Sequence, residues 1–247
     1  MVGILEVGKM AFESYRKNIV AAIIFVLLHI LVILVSTFLI AVALEGVYIS
    51  LRVLRWTVPI IGAVVVAYVF PRVLGWYYNK AIGNINPNYK LSFKIWLIRL
   101  ILIHLEILLF LHGTDYIISE VIPKAKQGCI YYASMIVLRI LDSIYDISSI
   151  LIAIVLLVVL IALELILYYP AYAAILGKID KIEINSTIVE RSLILIFYVL
   201  VWSIILGIIG AILRAIPVVG EILSLIYILF VFIPILNLII AHKALSM

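Results

Sequence analysis

Apolar residues fill long, nearly unbroken runs along this chain, separated by short clusters of charged and turn-forming residues. A run of about 20 apolar residues matches ~30 Å of bilayer hydrocarbon at 1.5 Å per helical residue. The pattern predicts transmembrane helices at about 19–44, 56–78, 91–112, 147–169, 192–213 and 221–242. The last two are joined by "RAIPVVGE", where Pro217 and Gly220 punctuate a tight turn.

Residues 1–18 follow a different rhythm. Ile4, Val7, Ala11 and Tyr15 recur at helical spacing, with Glu6, Lys9, Glu13, Arg16 and Lys17 between them. One apolar stripe against a charged face predicts an amphipathic helix lying in the membrane interface. The longest loop, 113–146, carries a similar pattern around "IYYASMIVLRILDSIYD", read as an outer-surface amphipathic helix or an extension of the fourth span.

Two stretches share a plan. "WYYNKAIGNINPNYKLSFKIWLIRLIL" and "LYYPAYAAILGKIDKIEINSTIVERSLIL" each run from a Tyr-Tyr pair through an Ala/Ile/Gly stretch and a polar turn into a new apolar helix. The lead-in "KMAFESYRKN" resembles the charged part alone. Duplication is a common route to membrane folds. Three successive helical hairpins are therefore expected, each introduced by an interfacial segment; recruitment of similar residues by similar interfaces is the competing account.

Composition supports the membrane reading. Of 247 residues 68% are hydrophobic and 13% charged, with a mean hydropathy of +1.37, against about 25% charged in soluble domains. The fold class expected is an all-α integral membrane protein, a single transmembrane domain over 1–247. The first apolar run is too long for a signal-peptide core and ends without a small-residue cleavage site, so a cleavable signal is not expected. Twelve of the 18 lysines and arginines fall on the side holding both termini and the even-numbered loops. By the positive-inside rule this places both termini in the cytoplasm of a cell-membrane protein. The net charge of +5 then reads as topology and contact with anionic lipid, not nucleic-acid binding.

Ionisable groups at membrane depth cost about 2.5–3.5 kcal/mol each on insertion scales, so they seek partners or water. Arg72 and Glu164 lie at similar depth on the second and fourth spans, and an ion pair between them is the leading expectation. Snorkelling of Arg72 to the headgroups competes with it, as does a direct ligand contact. Glu106 lies seven residues after Arg99 on one helical face, too far for direct contact. His29 reads as a packed intramembrane residue. The four histidines and lone Cys129 show no metal-ligand spacing. Asp142 and Asp146 are one turn apart, more simply read as a solvated face than a cation site. Ser203, Gly207 and Ala211, at intervals of four, predict close helix packing. Pro59, Pro71 and Pro234 are candidate kinks.

There is no HExxH, GxSxG or Walker glycine loop, and no aspartate cluster of the kind that holds metal in lipid-phosphotransfer enzymes. No catalytic residue, cofactor or metal is expected. Two functions remain: a scaffold that organises lipid, partner subunits or a homo-oligomer, and a permease or membrane subunit of an ATP-driven exporter. The interfacial lead-ins, the "AIPVVGEIL" turn and the final "FVFIPILNLIIAHKAL" resemble a broad group of uncharacterised multi-pass membrane proteins. That group includes the membrane domain attached to some glycerophosphodiester phosphodiesterases. The phosphodiesterase chemistry of such fusions lies in a separate soluble domain, so the resemblance implies six membrane helices and no activity.

Overall fold

The computed structural model describes residues 3–46, 54–116, 144–217 and 219–247. Every regular element among them is helical: α1 (Ile4–Lys17), α2 (Ile19–Gly46), α3 (Leu54–Ala81), α4 (Tyr89–Tyr116), α5 (Ile144–Ile166), α6 (Tyr168–Ile175), α7 (Ser186–Arg214), α8 (Gly220–Tyr227) and α9 (Ile233–Leu245). A π-helical turn at Ile228–Phe232 links α8 to α9. The segment holding Cys129 and Asp142 lies outside the described residues.

Among the described residues the helices that pass as membrane spans are fewer than the six expected. Three stretches are long and apolar enough to cross a membrane, Val155–Ile175, Ser186–Arg214 and Gly220–Leu245. A fourth is reached if α1 and Ile19–Val32, bent by 91°, form one broken span. α3 and α4 are each 28 residues long and carry ionic side chains: Arg72 and Lys80 in α3, Lys90, Lys94, Arg99 and Glu106 in α4.

The described residues form two compact units, Met1–Ile98 with Leu165–Met247, and Arg99–Glu164. In the first, α2 runs antiparallel along α3. Phe25 stacks on Tyr77 with centroids 4.5 Å apart, and His29 meets the Phe70 ring at 5.2 Å. Ala22, Ala63 and Ala67 are buried, small enough to bring the two backbones together. α1 turns away at Asn18 and packs against α9, burying Val7, Gly8 and Ala11. Gly8 is required there: a Cβ would lie 1.9 Å from Trp202 of α7. Leu5 and Phe12, on the opposite face, stay exposed.

The two similar stretches restart their helices by the same local device. After the Tyr-Tyr pair each chain reverses at a glycine with positive φ, Gly83 (+82°) or Gly177 (+69°). Each new helix then begins behind an asparagine whose Oδ1 accepts a backbone N–H three residues on. Asn88 accepts from Leu91 at 3.1 Å and Asn185 from Ile188 at 3.0 Å. The two turns touch, since the Asn88 amide donates to the Ala174 carbonyl at 3.0 Å.

The expected fourth span, 147–169, breaks at Leu167 into α5 and α6. Pro170 has no N–H to return to Ile166, four residues back. The Ser192 hydroxyl of α7 donates to that orphan carbonyl at 2.8 Å and accepts the Tyr169 amide at 3.2 Å. The same logic holds in the last span. Pro234 leaves the Phe230 carbonyl without its helical donor, the π turn precedes it, and the Tyr15 hydroxyl of α1 donates to Phe230 O at 3.0 Å. Burial pushes the Tyr15 phenol up, holding it as a donor.

Candidate functional site

In the Arg99–Glu164 unit, α4 presents Arg99 and Glu106 and α5 presents Glu164. Arg99 Nε donates to Glu164 Oε1 at 2.8 Å, and its Nη2 reaches the same oxygen. The arginine side chain is 7% exposed and the carboxylate 17%. At that burial neither ion is well hydrated, and removing one partner strands the other. Glu106 lies two turns beyond Arg99 along α4, within electrostatic range of Glu164. Glu106 Oε1 and Glu164 Oε2 are buried and lack a hydrogen-bond partner among the described residues.

The expected Arg72–Glu164 pair is therefore corrected: the acid takes Arg99. The guanidinium of Arg72 folds back along α3 onto the Tyr68 carbonyl, Nη1 to O at 2.6 Å. Its central carbon sits 3.5 Å from the Tyr68 ring centroid and 5.4 Å from that of Tyr89. The side chain points one turn toward the N-terminus of α3, away from Lys80. Pro71 contributes: it returns no N–H to Ala67, in the turn where the guanidinium caps the adjacent carbonyl. Gly75 lets Tyr89 lie close, since a Cβ there would meet the Tyr89 hydroxyl at 2.9 Å. Burial pushes the Tyr89 phenol up, and the Arg72 charge opposes that rise.

His29 is half-buried between Phe25 and Phe70. Its Nδ1 has no hydrogen-bond partner among the described residues, so packing is its visible role. The Ser203, Gly207, Ala211 stripe is displaced by one residue from the contact that forms within the chain. Tyr227 of α8 packs against Gly210, 3.5 Å from its Cβ position, and donates its hydroxyl to the Leu206 carbonyl at 3.0 Å. Leu206 and Gly210 are buried, Gly207 and Ala211 exposed, and Ser203 lies half-buried between them. The large Tyr227 ring selects the face that offers both a free carbonyl approach and a residue without a side chain.

Three residues that matter here carry weak sequence signals. The sequence sets Arg99 against Glu106 and Arg72 against Glu164, and pattern alone does not reassign the acid to Arg99. Ser192 lies in the second turn of α7 and Tyr15 in the last turn of α1; the cue to each is a proline in another helix.

Comparison with known proteins finds no match to this chain among protein-family models, curated proteins or solved structures.

Proposed function

We propose that this chain is a non-catalytic multi-pass protein of the cell membrane that organises lipid and holds partner subunits or a second copy of itself. In this reading α2, α3 and α4, each of 28 residues and so ~42 Å long, join the three apolar stretches to give six spans. They form three hairpins, with both termini in the cytoplasm. The observation that carries the reading is the pairing of Arg99 with Glu164. That pair ties one helix to another, as the Ser192 and Tyr15 hydroxyls do at the prolines. The exposed face of α7, with Leu193, Phe197, Leu200, Ile204, Ile208 and Ile212, suits hydrocarbon or a partner helix.

A permease, alone or as the membrane subunit of an ATP-driven exporter, is the second reading. One observation favours it: Glu106 sets a further carboxylate within electrostatic reach of Glu164. Proteoliposomes separate the two. The scaffold reading expects no ion flux above protein-free vesicles and clustering of fluorescent anionic lipid around the protein. Proton or cation flux that disappears in Glu106→Gln would establish the permease instead. The orientation is tested on intact cells, where an impermeant thiol reagent is expected to label Cys129 from outside. Labelling only after permeabilisation, with the thiol shown to be accessible, reverses it.

A further inference from the structure

Between Glu45 and Glu106 the chain contains no Asp or Glu, yet it carries seven lysines and arginines. Arg99 is paired with Glu164. Arg72 is half-buried, and among the described residues no carboxylate pairs with it and its one hydrogen-bond acceptor is the Tyr68 carbonyl. A guanidinium carries five N–H donors in a planar fork, so most of the fork's capacity is unspoken for. The fork is also held still: Tyr68 lies against one side at 3.5 Å, Tyr89 lies 5.4 Å away, and the Tyr68 carbonyl pins Nη1.

The surroundings are graded along the two helices. Phe93 of α4 meets the Tyr68 ring at 6.2 Å, Phe70 meets Trp96 at 4.7 Å, and Arg72 lies 5.4 Å from the Tyr89 ring, which brings the first turns of α4 against α3. Toward one end, Val64 and Ile98 are exposed and apolar. Around the level of Arg72 stands Lys94, and beyond it Lys90 and Lys80, all three exposed. Tyr68, 52% exposed, opens the guanidinium to the outside of this helix pair.

We propose that Arg72, flanked by Tyr68 and Tyr89, binds the phosphate of an anionic phospholipid. The acyl chains lie along Val64 and Ile98, and Lys90 and Lys94 supply the preference for negative headgroups. Arginine forks match phosphate oxygens bidentately, and basic pockets between helices on the cytoplasmic side suit anionic lipids. A soluble anion needs no apolar surface beside its cation; a lipid does. The site rests on the membrane-protein reading above and deepens its lipid-organising part.

The test uses the purified full chain in detergent, titrated separately with short-chain phosphatidylglycerol, phosphatidylcholine of equal chain length and inorganic phosphate, with occupancy read by native mass spectrometry. Phosphatidylglycerol is expected to bind more tightly than phosphatidylcholine, and Arg72→Gln to weaken it about tenfold. Wild-type affinity in a folded Arg72→Gln protein overturns the site. Inorganic phosphate competing over the same concentration range as the lipid identifies a soluble anion as the occupant and overturns the lipid assignment. If Arg72→Gln does not fold, Arg72→Lys keeps the charge and loses the fork. It is expected to weaken phosphatidylglycerol binding about threefold or more, and unchanged affinity overturns the proposal. Ion flux in the vesicle assay would remove the scaffold reading while leaving this titration standing, and loss of Arg72 dependence would do the reverse.

Discussion

Arg99 on α4 and Glu164 on α5 share one buried contact, guanidinium Nε to carboxylate Oε1 at 2.8 Å. Breaking such a pair from either side leaves a charge stranded at low dielectric, at about 3–5 kcal/mol, whereas replacing both partners with apolar residues costs far less. Arg99→Leu and Glu164→Leu are each expected to lower the melting temperature in detergent, and the double variant to regain part of the loss. The same cycle run with Arg72→Leu and Glu164→Leu is expected to be additive. Coupling in the second cycle and none in the first would exchange the two arginines.

The Tyr15 hydroxyl serves a carbonyl that exists as an orphan because of Pro234. Tyr15→Phe should therefore destabilise by about 1–3 kcal/mol, the loss on leaving a buried acceptor unmet. In a Pro234→Ala background, residue 234 regains its N–H and the same substitution should cost less. Equal losses in both backgrounds, measured by thermal melting, would refute the link between the proline and the hydroxyl.

Gly8 and Trp202 occupy the same space but for one missing Cβ. Gly8→Leu forces α1 off the bundle and is expected to destabilise by about 1–3 kcal/mol or more, the range for overpacking. Trp202→Ala opens the room the new side chain needs and should rescue part of that loss. Protease sensitivity at the α1–α2 bend, near Asn18, reports whether α1 has lifted.

Gly210 and Gly207 sit three residues apart on α7 and face different surroundings. Gly210→Leu collides with the Tyr227 ring and should lower stability by about 1–3 kcal/mol. Gly207→Leu enters open space, with nothing within 4 Å, and should stay within about 0.5 kcal/mol as an exposed change does. A large effect at Gly207 in detergent-solubilised protein, together with a change in oligomeric state, would show that the exposed stripe packs between chains.

Much of this protein's secondary structure is legible in its sequence, because long apolar runs suited to hydrocarbon dominate it. Backbone groups in that solvent must bond within their own segment, so long apolar runs have to be helical. Helix ends could be read from charge and turn chemistry. The amphipathic pattern over 1–18 becomes α1, and "RAIPVVGE" becomes the turn closed by the Gly220 amide on the Ile216 carbonyl at 2.9 Å. The repeated plan in the two Tyr-Tyr stretches is visible as letters, and their paired asparagine caps follow from it.

What the letters did not contain was partnership across space. Glu164 needed a cation, and Arg72 and Arg99 both offered one; only the placement of α4 beside α5 made Arg99 the answer. Arg72 could equally have pointed either way along α3 until the Tyr68 carbonyl and the Tyr89 ring, admitted by Gly75, held it. Proline gave notice of a free carbonyl at Ile166 and at Phe230, but the hydroxyls that meet them come from Ser192 and Tyr15, 26 and 215 residues away along the chain. Hydropathy is a property of each residue alone and survives in one dimension. Ion pairs, orphan carbonyls and the face a glycine presents depend on the relative positions of two helices, and only the folded chain fixes those.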